Sequence, residues 1–309
     1  MPRGAGSRAS WAPVKMPEGA TRVVIQEDVR REGDEIVVGA RVEAQAWVRP
    51  AGQDFAVGDR IEAGRRLGAA DLALAASMGV SHVTVARAPE VALIATGDEL
   101  VMPGETPGPD QIIASNALGL AAIVEAAGGI ARILPIARDS AASIRSCLAL
   151  AEGADLIVTI GGASVGDHDL VGQVAADAGM ERAFYKVAMR PGKPLMAGRI
   201  GGVPMLGLPG NPVSSMVCGH IFMVPLLAAM QGLPKRALPR GTARLVAGIT
   251  ANGPREHYMR AESVDGGVRV AERQDSGLLS VLLRADRLVV RPPNDPAREA
   301  GDVVDVIEI

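Results

Sequence analysis

The chain has 309 residues, 48% hydrophobic and 22% charged, with a formal net charge of −3. That length holds two or three domains with a substantial core, and the composition is that of a globular chain. The acidic balance and the few aromatic residues (three Phe, two Tyr, two Trp) tell against a general nucleic-acid surface built on charge and stacking.

The opening MPRGAGSRAS has two arginines but no apolar stretch behind it, so no signal peptide is expected. From 22 to 85 the pattern is β-rich. Strands are expected at 23–26, 35–38, 44–48 and 82–87, and a helix at 70–78 closed by Gly79. Pro89 marks a boundary. The middle third then alternates strand and helix: strands at 91–95, 132–137, 155–160, 183–189, 195–200 and 203–208. Helices are expected at 115–127, from an Asp139 or Ser140 cap to 152, at 167–178 and at 213–230. Apolar runs without polar alternation specify strands buried on both faces, hence an α/β fold with a mostly parallel central sheet. After Gly232, Pro234 and Pro239, short strands at 244–249, 258–264, 268–272, 287–291 and 303–309 make a small all-β domain. The expected domains are 1–88, a partial β-rich region; 89–233, α/β; and 234–309, β-barrel-like. No apolar run is expected to reach the roughly 18–20 residues needed to span a bilayer. Cys147 and Cys218 read as buried thiols, which fits a reducing cytoplasm. The four histidines have no zinc-ligand spacing.

Two segments stand out. Arg190-Pro191-Gly192-Lys193-Pro194 is a rigid turn with two cations, and it holds one of only four lysines in the chain. Gly207-Leu208-Pro209-Gly210-Asn211-Pro212-Val213-Ser214 is a second rigid turn, running into an apolar helix whose N-terminal amides favour an anion. Ligands of open α/β sheets bind beyond the carboxyl ends of strands. Four unusual sequences fall there: Thr96-Gly97-Asp98-Glu99-Leu100, Arg138-Asp139, the loop GGASVGDHD (161–169), and Pro209 to Ser214. Gly161, Gly162, Ser164 and Gly166 would offer backbone amides to a phosphate, although the same pattern suits a plain tight connection. Asp139, Asp167 and Asp169 fit helix caps as well as ligands. Carboxylates beside a phosphate make sense with a bridging cation, Mg²⁺ by default, with Glu99 and Asp98 as its ligands.

In order and spacing, TGDEL (96–100), QIIASN (111–116), GGASVGDHD (161–169), FYKVAMRPGKP (184–194) and GLPGNPVS (207–214) resemble the MoeA/gephyrin-E family of molybdopterin molybdenumtransferases. AGQDF (51–55) and QDSGLLSVLLRADRL (274–288) extend the resemblance. It implies a MogA-like molybdopterin-binding sheet and insertion of molybdate into adenylylated molybdopterin, with release of AMP and dependence on Mg²⁺. It implies catalytic roles for Glu99, Asp139 and Asp54. Thr96, Gly97, Gly161, Gly162, Ser164, Gly166, Asp169, Arg190, Lys193, Pro209, Gly210, Asn211, Pro212 and Ser214 would bind substrate. It also implies a transient contact with the adenylyl-transferring molybdopterin enzyme, while the cysteines, apolar runs and charge lead to the expectation of a cytoplasmic protein with no membrane or nucleic-acid partner. Arg190 stands where the family usually has lysine, Leu170 where tyrosine is usual, and Asp286 where asparagine is usual. The family's upstream Asp-Gly-Tyr-Ala segment, part of its active site and dimer, has no counterpart. The chain therefore reads as N-terminally short, and a homodimer is expected if that segment exists. The alternative is a non-catalytic molybdopterin-binding or scaffold protein.

Overall fold

Either side of Gly33, whose φ is +62°, strands β1 (Val29–Glu32) and β2 (Glu35–Val38) form a hairpin in which Glu32 faces Glu35. The turn sets the register, so pairing starts at Val29 rather than in the expected 23–26. Helix α1 (Ala69–Ser77) begins where the Asp71 carboxylate accepts the Gly68 amide at 2.8 Å, and ends at Gly79 with φ +83°. The structure, a computed structural model, describes residues 15–39, 47–162 and 170–309. Of the strand expected at 44–48, residues 44–46 lie outside these, and Trp47 and Val48 carry no regular structure. The chain divides into two compact units, residues 1–63 with 67–81, and residues 64–66 with 82–309.

In the second unit, residues 82–87 pair with no strand among the described residues, and Val83 and Val85 are exposed. Arg87 instead grips the Asp155 carboxylate, which also accepts the Glu90 amide at 2.8 Å. That contact starts strand β3 (Glu90–Ala95). Two-residue strands β4 (Leu100–Val101) and β5 (Ile112–Ile113) pair in parallel. Then follow α2 (Asn116–Ala126), β6 (Ile130–Ile133), α3 (Ala141–Leu150), β7 (Leu156–Ile160), α4 (Leu170–Asp177) and β8 (Glu181–Tyr185). Beyond β9 (Met189–Arg190), the strands β10 (Met196–Ile200) and β11 (Val203–Leu208) form an antiparallel hairpin. The central sheet runs β6-β3-β7-β11-β10-β8, its first four strands parallel.

Alternation sorts the two faces. Val91, Leu93, Leu156, Val158 and Ile160 join the core under α2 and the helix after β11. Ala92, Ile94 and Ile157 join the core under α3 and α4. Each such fully buried Leu, Ile or Val contributes about 1.5–3 kcal/mol.

That last helix is α5 (Pro212–Cys218), a π turn at Gly219–Met223, and α6 (Val224–Met230). Pro225 lacks an amide hydrogen and its ring crowds the preceding turn, which the wider π turn relieves. Pro212–Met230 is 19 residues long and holds an 18-residue window of mean hydropathy 1.8, half of it buried, which corrects the expectation that no apolar run reaches 18–20 residues. Val213, Val217, Cys218, Met223 and Leu227 of this helix lie in the core against the sheet.

The last sheet contains β12 (Gly241–Arg244), β13 (Glu256–Val264), β14 (Gly267–Val270), β15 (Arg287–Arg291) and β16 (Val303–Glu308), in the order β12-β16-β15-β13-β14. A short helix, α7 (Leu279–Leu282), precedes β15. A bridge from Leu245 to Val268 brings the two edges together, so the sheet curls upon itself. A Cβ at Gly267 would overlap the Arg244 carbonyl there. Buried Arg291 and Asp295 pair, and Arg298 joins the same carboxylate. The strand expected through 183–189 is broken. β8 ends at Tyr185, Lys186 takes φ +69°, and β9 leaves the central sheet to pair in parallel with β13.

Candidate functional site

Four strand ends are tied together by backbone. The Thr96 amide donates to Ile160 O, the Gly97 amide to Ala137 O and the Gly161 amide to Leu208 O, each at 3.0 Å. Ile112 N donates to Glu99 O and Ala114 N to Val101 O, both at 2.8 Å, laying QIIASN beside TGDEL. Asn116 Nδ2 then donates to Gly210 O at 2.7 Å. Between these segments lies a cavity of about 490 Å³. One wall is Thr96, Glu99 and Leu100 with Ile112 to Asn116. The floor is Ile160, Gly161 and Gly162, and the far wall is Lys193, Pro194, Pro209, Gly210, Asn211 and Pro212.

Glycine is required at the floor. Gly161 has φ +91°, and a Cβ there would sit 2.9 Å from Thr96 O. Gly162 has φ +64°, and its Cβ would overlap Val171. The Gly161 amide is engaged by Leu208, however, so it closes the turn rather than greeting a phosphate. The Val213 amide, in the first turn of α5, is likewise taken by Ser276 O at 3.0 Å. Asn211 occupies the N-cap of α5 without a capping side-chain bond and faces the cavity. Ser214 is buried in the first turn and does not line it.

Side chains supply the positive charge. Lys193 is exposed and lines the cavity, carried by a loop whose Gly192 has φ +107° and rests on the Cys218 sulfur. Burial pushes the Cys218 thiol up to about 12, so it stays protonated and inert. Arg190 lies off the cavity wall, in β9, opposite His257 of β13. Three residues on, Arg260 is fully buried, with Nε and Nη1 lacking any hydrogen-bond partner among the described residues. Burial first, then the Arg190 charge, lowers Arg260 to about 10. The same pair of causes in the same order, with further arginines, lowers His257 to about 4, and its Nε2 is buried and unpartnered. Arg260 Nη2 reaches Asp275 O at 3.2 Å, next to the Ser276 carbonyl that holds Val213. Arg260 thus lies on the strand that pairs with β9 and bonds the residue before Ser276, whose carbonyl holds Val213; it does not line the cavity. Sequence reading missed it, because a lone arginine inside a strand pattern carries no turn or spacing signal. The QIIASN wall was recognised as a motif but not as a lining.

Among the acids, Glu99 lines the cavity. Asp98 and Asp139 face one another instead: Asp139 N donates to Asp98 Oδ1 at 3.0 Å, and Asp98 N to Asp139 Oδ2 at 3.4 Å. Ser140, not Asp139, caps α3, accepting the Ser143 amide at 3.2 Å. Asp54 is exposed in the first unit. Ser164, Gly166, Asp167, His168 and Asp169 lie outside the described residues. Among the described residues no three His, Cys, Asp or Glu side chains converge as a metal cluster.

A strand-end cavity in an α/β sheet covered by helices on both faces, followed by a curled β-sheet, places the chain among the α/β proteins whose ligand sites lie beyond the carboxyl ends of the strands. Residues 92–229 match the family described as "Probable molybdopterin binding domain". Residues 14–79 match the MoeA N-terminal region (domain I and II), and 242–309 the MoeA C-terminal region (domain IV). A molybdopterin molybdenumtransferase of Nostoc sp. is 32% identical over 305 residues, covering 95% of this chain and 70% of that protein. Molybdopterin molybdenumtransferase 2 of Mycobacterium tuberculosis is 38% identical over 198 residues, 62% of this chain and 48% of that one. The chain thus spans about half the length of some relatives it matches. The crystal structure of a molybdopterin biosynthesis MoeA protein from Pyrococcus horikosii superposes with a TM-score of 0.79 at 29% identity, over 95% of this chain and 73% of the other. The chain belongs to the molybdopterin molybdenumtransferase (MoeA) family.

Proposed function

We propose that this protein inserts molybdate into adenylylated molybdopterin, with release of AMP. The observation that carries the reading is Arg260, a buried guanidinium with two donor nitrogens unpartnered among the described residues, on the strand that pairs with Arg190 and bonded through Nη2 to Asp275 O. Buried cations are retained where an anion completes them. The cavity of about 490 Å³ lined by Glu99 and Lys193 falls in the range of small-molecule sites. The names of the Nostoc and mycobacterial relatives support the same activity.

In this reading Lys193 meets the substrate oxygens from the cavity wall, and Arg190 and Arg260, which lie off that wall, add positive charge behind it. The proline-fixed loops supply a preorganised wall, so catalysis is largely positioning. Glu99 is the carboxylate on the cavity wall, while Asp98 and Asp139 fix the loop that presents it. Mg²⁺ is ordinarily held by one or two carboxylates together with substrate phosphates, and Glu99 fits that role. Asp98 does not line the cavity, and its Oδ1 is taken by the Asp139 amide. When bound, the ion would offset charge on the phosphate. Asp54 and Asp169 are assigned to the site on family resemblance alone.

We read the domains as 1–88, 89–233 and 234–309, which accords with the three family matches. A cytoplasmic location agrees with two free, buried cysteines. Proposed partners are a second copy of the chain and the adenylyl-transferring enzyme that delivers the substrate.

The test is AMP release from adenylylated molybdopterin, followed chromatographically with and without molybdate and Mg²⁺. Molybdate-dependent release supports the transferase. Pterin binding without release would establish the binding or scaffold reading instead.

A further inference from the structure

Between Gly97 and Leu100, the backbone around Glu99 is held from outside by one side chain. Arg138 Nη1 lies 3.4 Å from Gly97 O, 3.1 Å from Asp98 O and 2.9 Å from Leu100 O. The remaining carbonyl of the turn, that of Glu99, accepts the Ile112 amide at 2.8 Å. The two hydrogens of Nη1 are shared among three carbonyls, Leu100 O and Asp98 O the nearer and Gly97 O the farthest.

Arg138 is itself anchored. Its amide donates to Ser143 Oγ in the first turn of α3 at 2.9 Å, and Ala137 before it bridges Thr96. Its guanidinium makes no ion pair among the described residues, so its charge is directed at carbonyl oxygens. A guanidinium suits this task, being permanently charged, planar and rich in fixed donors. The turn needs such a hold. Gly97 has φ +147°, and the Glu99 carboxylate folds back over its Cα, leaving no room for a Cβ.

We propose that Arg138 is a positioning residue: it clamps the 97–100 turn so that the Glu99 side chain faces the cavity, and it does not itself contact substrate. Its catalytic meaning rests on the transferase reading above. The clamp itself does not.

The experiment uses the full chain with Arg138→Ala and Arg138→Lys, and two readouts. Amide hydrogen exchange is followed by mass spectrometry in the peptide covering 96–101, with the β7 peptide as internal reference for folding. Steady-state AMP release gives kcat and KM. For Arg138→Ala, exchange in 96–101 should rise by about tenfold or more with β7 unchanged, because the turn loses its carbonyl partners. The kcat should fall by about 10- to 100-fold with KM within about threefold, the pattern of a displaced catalytic group. Arg138→Lys, or methylguanidinium added to the alanine variant, should recover part of both. Unchanged exchange in 96–101 would overturn the clamp. A raised KM with unchanged kcat would also overturn it, placing Arg138 on the substrate. If the wild-type chain releases no AMP, the transferase reading fails, and the exchange data alone decide the clamp. If the alanine variant does not fold, the lysine variant carries both readouts.

Discussion

Asp98 and Asp139 exchange hydrogen bonds reciprocally, each carboxylate accepting the other's backbone amide, at 3.0 and 3.4 Å. Two carboxylates that would repel in an open pocket thus staple the ends of two parallel strands. Each bond to a charged acceptor is worth about 1.5–3 kcal/mol when well formed, and less at this exposure. Asp98→Ala should lower stability by about 1 kcal/mol and AMP release by less than about tenfold. Asp98→Asn keeps an acceptor oxygen and should stay near wild type. Urea unfolding with parallel assays measures both, and a complete loss of turnover in the Asn variant would make Asp98 a metal ligand instead.

Among the described residues, Glu99 is the acid that lines the cavity. Glu99→Ala should reduce turnover by about 10²-fold or more while affinity for the adenylylated pterin stays within a few-fold, since the lost interaction belongs to the transition state. Titration calorimetry and single-turnover AMP release separate the two quantities. Full turnover in this variant would remove Glu99 from the mechanism.

Lys193 supplies an exposed ammonium on the opposite wall. Lys193→Ala should weaken pterin-phosphate binding by about tenfold at 20 mM salt and less at 500 mM, because the Debye length shrinks with salt. Equal affinities of the two proteins at low salt would show that the side chain faces away from the ligand.

The loop bearing Lys193 rests on Cys218. A methyl at Gly192 meets both a positive φ of +107° and the Cys218 sulfur. Gly192→Ala should cost about 2–4 kcal/mol, combining backbone strain with overpacking. Adding Cys218→Ala opens space and should recover the packing part, about 1–2 kcal/mol, leaving the strain. Strict additivity in the double-mutant cycle would show that the two do not touch.

The sheet was legible because buried strands advertise themselves. Residues 91–95 and 156–160 are apolar on both faces, and the Gly- and Pro-rich segments that follow them form the cavity. Legibility failed where tertiary pairing outweighed local pattern. The alternation at 82–87 predicts a strand, yet no partner edge lies beside it among the described residues, and Arg87 bonds Asp155 instead. Met189 reads as the end of one strand and Arg190 as the start of a turn, but both pair with β13 across the unit. β4 and β5 are two residues each, too short to show a period. Arg260 looks like an ordinary strand residue, and only burial without partners distinguishes it. The amides expected to bind anions at Gly161 and Val213 are spent on Leu208 and Ser276, which sequence spacing has no means of showing.

His257 ties this cationic region to pH. Burial first, then Arg190 on β9, Arg260 on its own strand, Arg291 on β15 and Arg255 before β13, lower its pKa from 6.5 to about 4. The folded chain therefore keeps His257 neutral where the unfolded chain protonates it. Its contribution to stability is fully present above pH 6.5, and it is lost as pH falls from there towards 4, because the unfolded state binds the extra proton. His257→Leu should flatten that limb by up to about 1.4 kcal/mol per pH unit, the value for one whole proton. Urea unfolding between pH 4.5 and 8 measures it. An oxyanion held near Arg190 and Arg260 would screen those charges and raise the His257 pKa, so saturating molybdate should shrink the wild-type slope and leave the leucine variant's unchanged. Identical slopes for wild type with and without molybdate would place the anion away from Arg190 and Arg260, and with it the premise on which the transferase reading rests.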